Sequence, residues 1–269
     1  MPELPEVEVT RLGIAAEITG QSIARVVVRE PRLRWPVPGE VRDLRGHVVR
    51  SVGRRGKYLL LDCGDGHLIV HLGMSGSLRV VSADTPAGKH DHVDVVFGKR
   101  ALRLRDPRRF GAVLWAHGDP QRHPLLAHLG VEPLSDDFDG ARLHALTRKH
   151  RSAIKTVLMD ARRVVGVGNI YASESLFKAG INPRARANRL SLDRCTRLVR
   201  SIRETLQSAI RAGGSSLRDF VGTDGGQGYF QQTHGVYGRE GEPCRACKAP
   251  VRRIVQGQRS TFYCPGCQR

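Results

Sequence analysis

The segment Lys57-Tyr58-Leu59-Leu60-Leu61-Asp62-Cys63-Gly64-Asp65-Gly66-His67-Leu68-Ile69-Val70-His71-Leu72 holds two short apolar runs separated by a glycine- and aspartate-rich joint. Each run is too short for an amphipathic helix and is bounded by turn residues, which is the pattern of strands joined by a hairpin. Working outward from Lys57–Asp62 and His67–Leu72, similar runs occur at Ser22–Arg29, Val48–Val52, Ser77–Val81, His92–Phe97, Leu102–Arg105 and Gly111–Ala116. With a helix beginning near Pro5, they predict an amino-terminal β-sandwich of about eight strands.

From about Pro133 the pattern changes. Leu192, Cys195, Leu198, Val199, Ile202, Leu206, Ala209 and Ile210 recur at helical spacing, with Ser191 as a cap and Gly213-Gly214 as a stop. Ala153–Asp160 and Ile170–Lys178 read as two further helices, the second stopped by Gly180 and Pro183. The expected class is α+β: a β-sandwich over residues 1–130, a helical domain over 131–234 and a small metal module over 235–269.

Cys244, Cys247, Cys264 and Cys267 form two C-x-x-C pairs sixteen residues apart, the spacing of a four-thiolate structural zinc site. A module this small cannot hold a core of its own, so the metal supplies its folding energy. Cys63 and Cys195 are isolated and read as buried, inert thiols.

The chain has 269 residues, and 44 Lys+Arg against 26 Asp+Glu give a net charge of +18, which favours a polyanionic partner, with nucleic acid leading. No run approaches the eighteen apolar residues a spanning helix needs, and the start carries glutamates rather than a basic and apolar leader. A cytoplasmic, nucleoid-associated location is expected.

Several segments carry chemistry. In Met1-Pro2-Glu3-Leu4-Pro5-Glu6, removal of Met1 would expose a proline secondary amine. Such an amine attacks a sugar carbon and goes directly to a cationic iminium. An α-amino group titrates near ~8, so a usable neutral fraction exists. The alternative is that Pro2 only starts the chain. Gly166-Val167-Gly168-Asn169-Ile170-Tyr171-Ala172 places Asn169 where a helix begins, either as an anion site for a DNA phosphate or as a capped helix hairpin. Lys155 on the preceding helix adds a phosphate contact or lies on a solvated face. Arg103–Gly111 clusters four arginines with Phe110, suited to phosphates, base edges and wedging into a stack. Met74 lies between glycines as a wedge or a core anchor. Gly222–Phe230 is a linker or a lid. Arg259 lies at the expected tip of the metal module's hairpin.

Together these residues resemble the formamidopyrimidine-DNA glycosylase family. The matching segments are P-E-L-P-E, R-G-K-Y-L-L-L, H-L-G-M-S-G-S-L, K-H-D-H-V-D, D-P-R-R-F-G, G-V-G-N-I-Y-A-S-E, D-G-G-Q-G-Y-F, V-Y-G-R-E-G-E-P-C and T-F-Y-C-P-G-C, in order over essentially the whole chain. The resemblance implies a helix-two-turn-helix domain with a zinc finger. It also implies a bifunctional repair enzyme, a glycosylase that excises oxidised purines (8-oxoguanine opposite cytosine, formamidopyrimidines) and an abasic-site lyase that nicks the strand by β,δ-elimination. It would act as a monomer on double-stranded DNA with oxidised bases or abasic sites. One structural Zn2+ is implied, with no catalytic metal or organic cofactor. Pro2 would be the nucleophile and Glu3 the acid/base, with Lys57 supporting glycosidic cleavage and elimination. Arg259 would act in δ-elimination; because a guanidinium is a poor acid, a clamp on the leaving phosphate fits equally well. Asn169 would flank the flipped nucleotide, and Met74, Arg108 and Phe110 would fill the void it leaves. His71, His90, Arg151 and Lys155 fall at DNA-contact positions. Two alternatives remain at this point: an endonuclease VIII-like glycosylase for oxidised pyrimidines, and a non-catalytic zinc-ribbon DNA-binding protein.

Overall fold

The computed structural model describes residues 2–214 and 234–269, so the Gly222–Phe230 segment lies outside the described residues. It forms two compact units. The first runs through Ala127 and is rejoined by 212–214; the second comprises His128–Arg211 and 234–269.

The first unit opens with α1 (Leu4–Ile18), which buries Leu4, Val7, Thr10, Ile14 and Ile18 at three- and four-residue steps. Eight strands follow: β1 (Arg25–Val28), β2 (Ser51–Arg55), β3 (Tyr58–Asp62), β4 (Gly66–His71), β5 (Ser77–Ser82), β6 (Asp91–Phe97), β7 (Arg100–Arg105) and β8 (Ala112–His117). They make two antiparallel four-stranded sheets, ordered β1-β6-β7-β5 and β2-β3-β4-β8. Val93, Val95, Leu102 and Leu104 from one sheet share a core with Leu59, Leu61, Leu68 and Val113 from the other. Each such fully buried side chain contributes roughly 1.5–3 kcal/mol. The expected sandwich is present, with strand ends shifted by a few residues.

The second unit contains α2 (Gly140–Arg148), α3 (Ile154–Leu158), α4 (Asn169–Lys178) and α5 (Leu192–Arg211). Helix α5 starts at the expected cap, Ser191 Oγ accepting from Arg194 N–H at 3.3 Å. Helix α2 was not expected. Its signal is local: the Asp139 carboxylate accepts from Arg142 N–H at 2.6 Å, and Leu143 and Thr147 bury one face. The chain ends in a hairpin of β9 (Arg252–Gln256) and β10 (Arg259–Tyr263). Its two turn residues, Gly257 and Gln258, both have positive φ, the twist a two-residue hairpin favours. The metal module does not stand apart: it packs on α4 within the same unit.

Candidate nucleic-acid interface and metal centre

In the first unit, Pro2 and Glu3 sit at the amino end of α1, and both are buried. Glu3 N–H donates to the Glu6 carboxylate at 2.8 Å, and the Glu3 carboxylate accepts from the Glu6 N–H, a reciprocal cap. Glu3 is therefore fixed by the helix it begins. Lys57 is not the first residue of a strand, as expected, but half of the two-residue Gly56-Lys57 turn between β2 and β3. That hairpin is tied to α1: Arg54 Nε donates to Glu8 Oε2 at 2.8 Å, Arg54 Nη1 to Gly56 O at 2.9 Å, and Arg11 Nη1 to Val52 O at 3.2 Å. Burial raises the Glu8 carboxyl, but its hydrogen bonds to Arg11 and Arg54 outweigh this and hold it below the usual carboxylate range. A charged brace thus joins the helix carrying Pro2 and Glu3 to the turn carrying Lys57.

The His71 ring, at the end of β4, packs at 4.8 Å and a 47° tilt against Tyr58, the residue after Lys57. Burial, then the positive charges of Lys57 and Arg34, push its imidazole down to about 4, so it is neutral near pH 7. Its Nδ1 accepts from Gly73 N–H at 3.0 Å, which leaves the proton on Nε2 as a donor.

Met74 and Phe110 remain 37% and 42% exposed on two loops that touch. The contact depends on Gly73: at φ +64, a Cβ there would lie 2.4 Å from the Phe110 carbonyl carbon. Buried Asp106 shapes the second loop, accepting from Gly111 N–H at 2.7 Å, Ser75 Oγ at 3.1 Å and Arg108 N–H at 3.3 Å. The Arg108 guanidinium lies 4.9 Å from the Phe110 ring centroid. His90 joins through its backbone, its carbonyl accepting from Asp106 N–H at 2.9 Å. The structure therefore ties the loops carrying Met74, His90, Arg108 and Phe110 to one residue, Asp106.

In the second unit, Asn169 is the first residue of α4, as expected, with Gly168 before it. Lys155 has neither expected placement. It is 1% exposed, and its Nζ donates to Asn169 Oδ1 at 2.6 Å and to Thr261 Oγ1 at 2.8 Å. Asn169 Nδ2 donates to Ser260 O at 2.9 Å and faces the Tyr237 hydroxyl at 3.4 Å. Arg259 is exposed at the start of β10, next to Ser260, and Arg151 is exposed ahead of α3.

Two residues with no expected role hold this arrangement. The buried Glu174 carboxylate accepts from the N–H groups of Gly235 at 2.7 Å, Tyr237 at 2.8 Å and Val236 at 3.0 Å. Tyr237, fixed this way, packs edge-on against Phe262 at 5.1 Å. Both fall inside quoted motifs, but only the folded chain shows what they touch.

The four sulfurs of Cys244, Cys247, Cys264 and Cys267 lie within 4.8 Å of one another, with Cys247–Cys264 at 3.3 Å and Cys244–Cys267 at 3.9 Å. Tetrahedral coordination at a Zn–S bond of about 2.3 Å places sulfurs about 3.8 Å apart, so the set fits a closed structural zinc. Cys63 and Cys195 are buried, and burial pushes the Cys63 thiol up to about 11. Among the described residues no helix is long and apolar enough to cross a membrane.

Comparison with known proteins agrees with this geometry. Residues 1–113 match the formamidopyrimidine-DNA glycosylase N-terminal domain, 129–221 the H2TH domain of the same proteins, and 241–269 the zinc finger found in FPG and IleRS. The chain is 64% identical to formamidopyrimidine-DNA glycosylase of Aromatoleum aromaticum over 270 residues, covering all of both chains. The MutM (Fpg) protein of Thermus thermophilus superposes with a TM-score of 0.90 at 40% identity, covering 99% of this chain and 98% of that one. The Lactococcus lactis Fpg mutant G226P, in complex with DNA containing Fapy-dG, superposes at 0.92 with 37% identity and full coverage of both chains. With profiles over most of its length and a full-length relative at this identity, the chain belongs to the formamidopyrimidine-DNA glycosylase family.

Proposed function

We propose that this protein excises oxidised purines, 8-oxoguanine opposite cytosine and formamidopyrimidines, and then nicks the abasic strand by β,δ-elimination. The observation that carries this reading is the reciprocal Glu3–Glu6 cap, which holds Pro2 and a buried carboxylate together at the start of α1.

In the proposed sequence, Met1 is first removed, because an amide nitrogen has no basic lone pair. The freed Pro2 amine attacks C1′ of the damaged nucleotide as the glycosidic bond breaks and the base leaves with a proton. Opening of the ring at C1′–O4′ gives the C1′ iminium, which acidifies the C2′ proton. Loss of that proton breaks the 3′ carbon–oxygen bond, and loss of the C4′ proton from the resulting conjugated iminium breaks the 5′ carbon–oxygen bond. Glu3 moves protons at the opening sugar. Lys57, braced to the same helix, supports base release and the first elimination.

A nucleotide must leave the duplex before its sugar can be attacked, at a cost of a few kcal/mol. Met74, Arg108 and Phe110 offset this by filling the gap, while His71, His90 and Arg151 contact backbone. Neutral His71 does so as an Nε2–H donor. Asn169 turns its second amide hydrogen from Tyr237, a long contact at 3.4 Å, to a phosphate oxygen, and Arg259 clamps the departing phosphate. In this scheme residues 1–130 are the catalytic domain, 131–234 the helical DNA-binding domain and 235–269 the zinc finger. The relative with 37% identity solved on Fapy-dG DNA supports the substrate class.

Side-by-side excision rates on 8-oxoguanine:C and thymine-glycol duplexes test the reading. A faster rate on 8-oxoguanine is expected; preference for thymine glycol would overturn the substrate assignment.

A further inference from the structure

We propose that Lys155 is a positioning residue that touches no DNA: it orients the Asn169 amide and pins the strand beginning at Arg259. The inference rests on the proposed roles of Asn169 and Arg259 as phosphate grips.

A lysine beside residues that grip phosphate would ordinarily spend its charge on solvent or on the phosphate itself. Here the whole side chain is 1% exposed. An ammonium has three N–H donors and no acceptor. Among the described residues, its acceptors include Asn169 Oδ1 at 2.6 Å, Thr261 Oγ1 at 2.8 Å and, more weakly, Ser260 O at 3.4 Å. Burying a cation costs several kcal/mol unless such dipoles surround it, so the arrangement is demanding of geometry.

Two consequences follow. First, the amide of Asn169 has only one orientation. Flipped, its NH2 would face the ammonium, donor against donor. The oxygen therefore faces Lys155 and Nδ2 faces Ser260 O and Tyr237, on the side where a phosphate must be met. Second, β10 is held at its start. Ser260 O receives Asn169 Nδ2 and Thr261 Oγ1, fully buried, receives Lys155. Arg259 is the preceding residue, so its Cα is fixed by contacts more than ninety positions away in sequence. Lys155 thus bonds both to the head of α4 and to the hairpin.

The competing role is a direct phosphate contact, and salt dependence separates the two. Each cation lost from the interface reduces the log K versus log salt slope by about 1. The measurement uses the full-length zinc-loaded protein and a duplex with one non-reactive abasic-site analogue, with thermal unfolding as a check on folding. In the Arg259→Ala background, where the one charge that Lys155 would position is already gone, Lys155→Met should leave the slope unchanged. Alone, Lys155→Met should lower turnover on an 8-oxoguanine duplex on the order of 10²-fold, as a misplaced group does. Thr261→Val, which keeps every charge, should act in the same direction and less than additively with it. This second variant also serves if Lys155→Met does not fold.

A slope reduced by about 1 in the Arg259→Ala background, or additive effects of Lys155→Met and Thr261→Val, would overturn the proposal. So would loss of function in Asn169→Ala and Arg259→Ala with none in Lys155→Met and Thr261→Val, which leaves the phosphate grips intact as a reading. If Asn169→Ala and Arg259→Ala themselves bind and turn over normally, the phosphate-grip reading fails, and Lys155 has nothing to position.

Discussion

Replacing Gly73 with alanine should destabilise the first unit and loosen its hold on a lesion. Two effects add. An alanine at φ +64 costs roughly 1–2 kcal/mol. Its Cβ would also lie 2.4 Å from Phe110 C, 2.5 Å from Gly111 N and 2.6 Å from Phe110 O. These are backbone atoms, so relief requires the Met74 and Phe110 loops to part, an overpacking that costs typically about 1–3 kcal/mol. The expected loss is therefore about 2–5 kcal/mol. Gly98 supplies the internal control: its φ is +57, yet nothing lies within 4 Å of an added Cβ. Gly98→Ala should cost only the dihedral part, roughly 1–2 kcal/mol. At roughly 2–4 °C per kcal/mol for a domain of this size, calorimetry should separate the two melting temperatures. Binding offers a second readout. Gly73→Ala keeps every charge, so affinity for undamaged duplex should hold while preference for an abasic-site analogue falls. Equal melting temperatures for the two variants, with lesion preference intact in Gly73→Ala, would refute the reasoning.

Acid stability, the Asp106 loop and the metal each offer a further test. The His71 pKa is lowered to about 4 in the folded protein against 6.5 for a free imidazole. The unfolded chain therefore binds a proton first, and stability falls as pH drops from about 6.5 towards 4. Glu8 and Asp94, both held below their ordinary values with burial opposing and arginine hydrogen bonds prevailing, lose their stabilising contribution only at lower pH. In urea titrations across pH, His71→Phe should remove the upper part of this acid loss; an unchanged profile would contradict the assignment. Asp106→Ala leaves the buried Gly111 N–H without its acceptor and should cost about 1–3 kcal/mol while weakening lesion preference; a neutral variant would remove Asp106 as the organiser of the loop. Chelating zinc should release the amide protection of β9 and β10 and reduce lesion affinity, with recovery on adding Zn2+. Persistent protection in the metal-free protein would contradict a folding role for the metal.

The β-rich half was legible because its signals are local: Lys57–Asp62 and His67–Leu72 are apolar runs beside turn residues. The zinc ligands were legible from spacing alone, and Asn169 from the glycines before it. Helix α2 escaped because it opens with glycine and is only nine residues long; Asp139 as its cap was the available clue. Lys57 was misplaced by a single residue, since Gly56 at positive φ lets the hairpin turn one step later than the apolar run suggests. Lys155 and Glu174 were illegible for a different reason. Charge in a sequence reads as exposure, and what buries these groups is contributed by Thr261, Ser260 and the 235–237 backbone, far along the chain.

The most direct test of the account is borohydride trapping on an abasic-site duplex, with intact-mass analysis of the protein and peptide mapping of the adduct. The account predicts an adduct only on chains that have lost Met1, mapped to Pro2, and greatly weakened in Pro2→Gly. An adduct mapped to a lysine, or formed equally by chains that keep Met1, would contradict it.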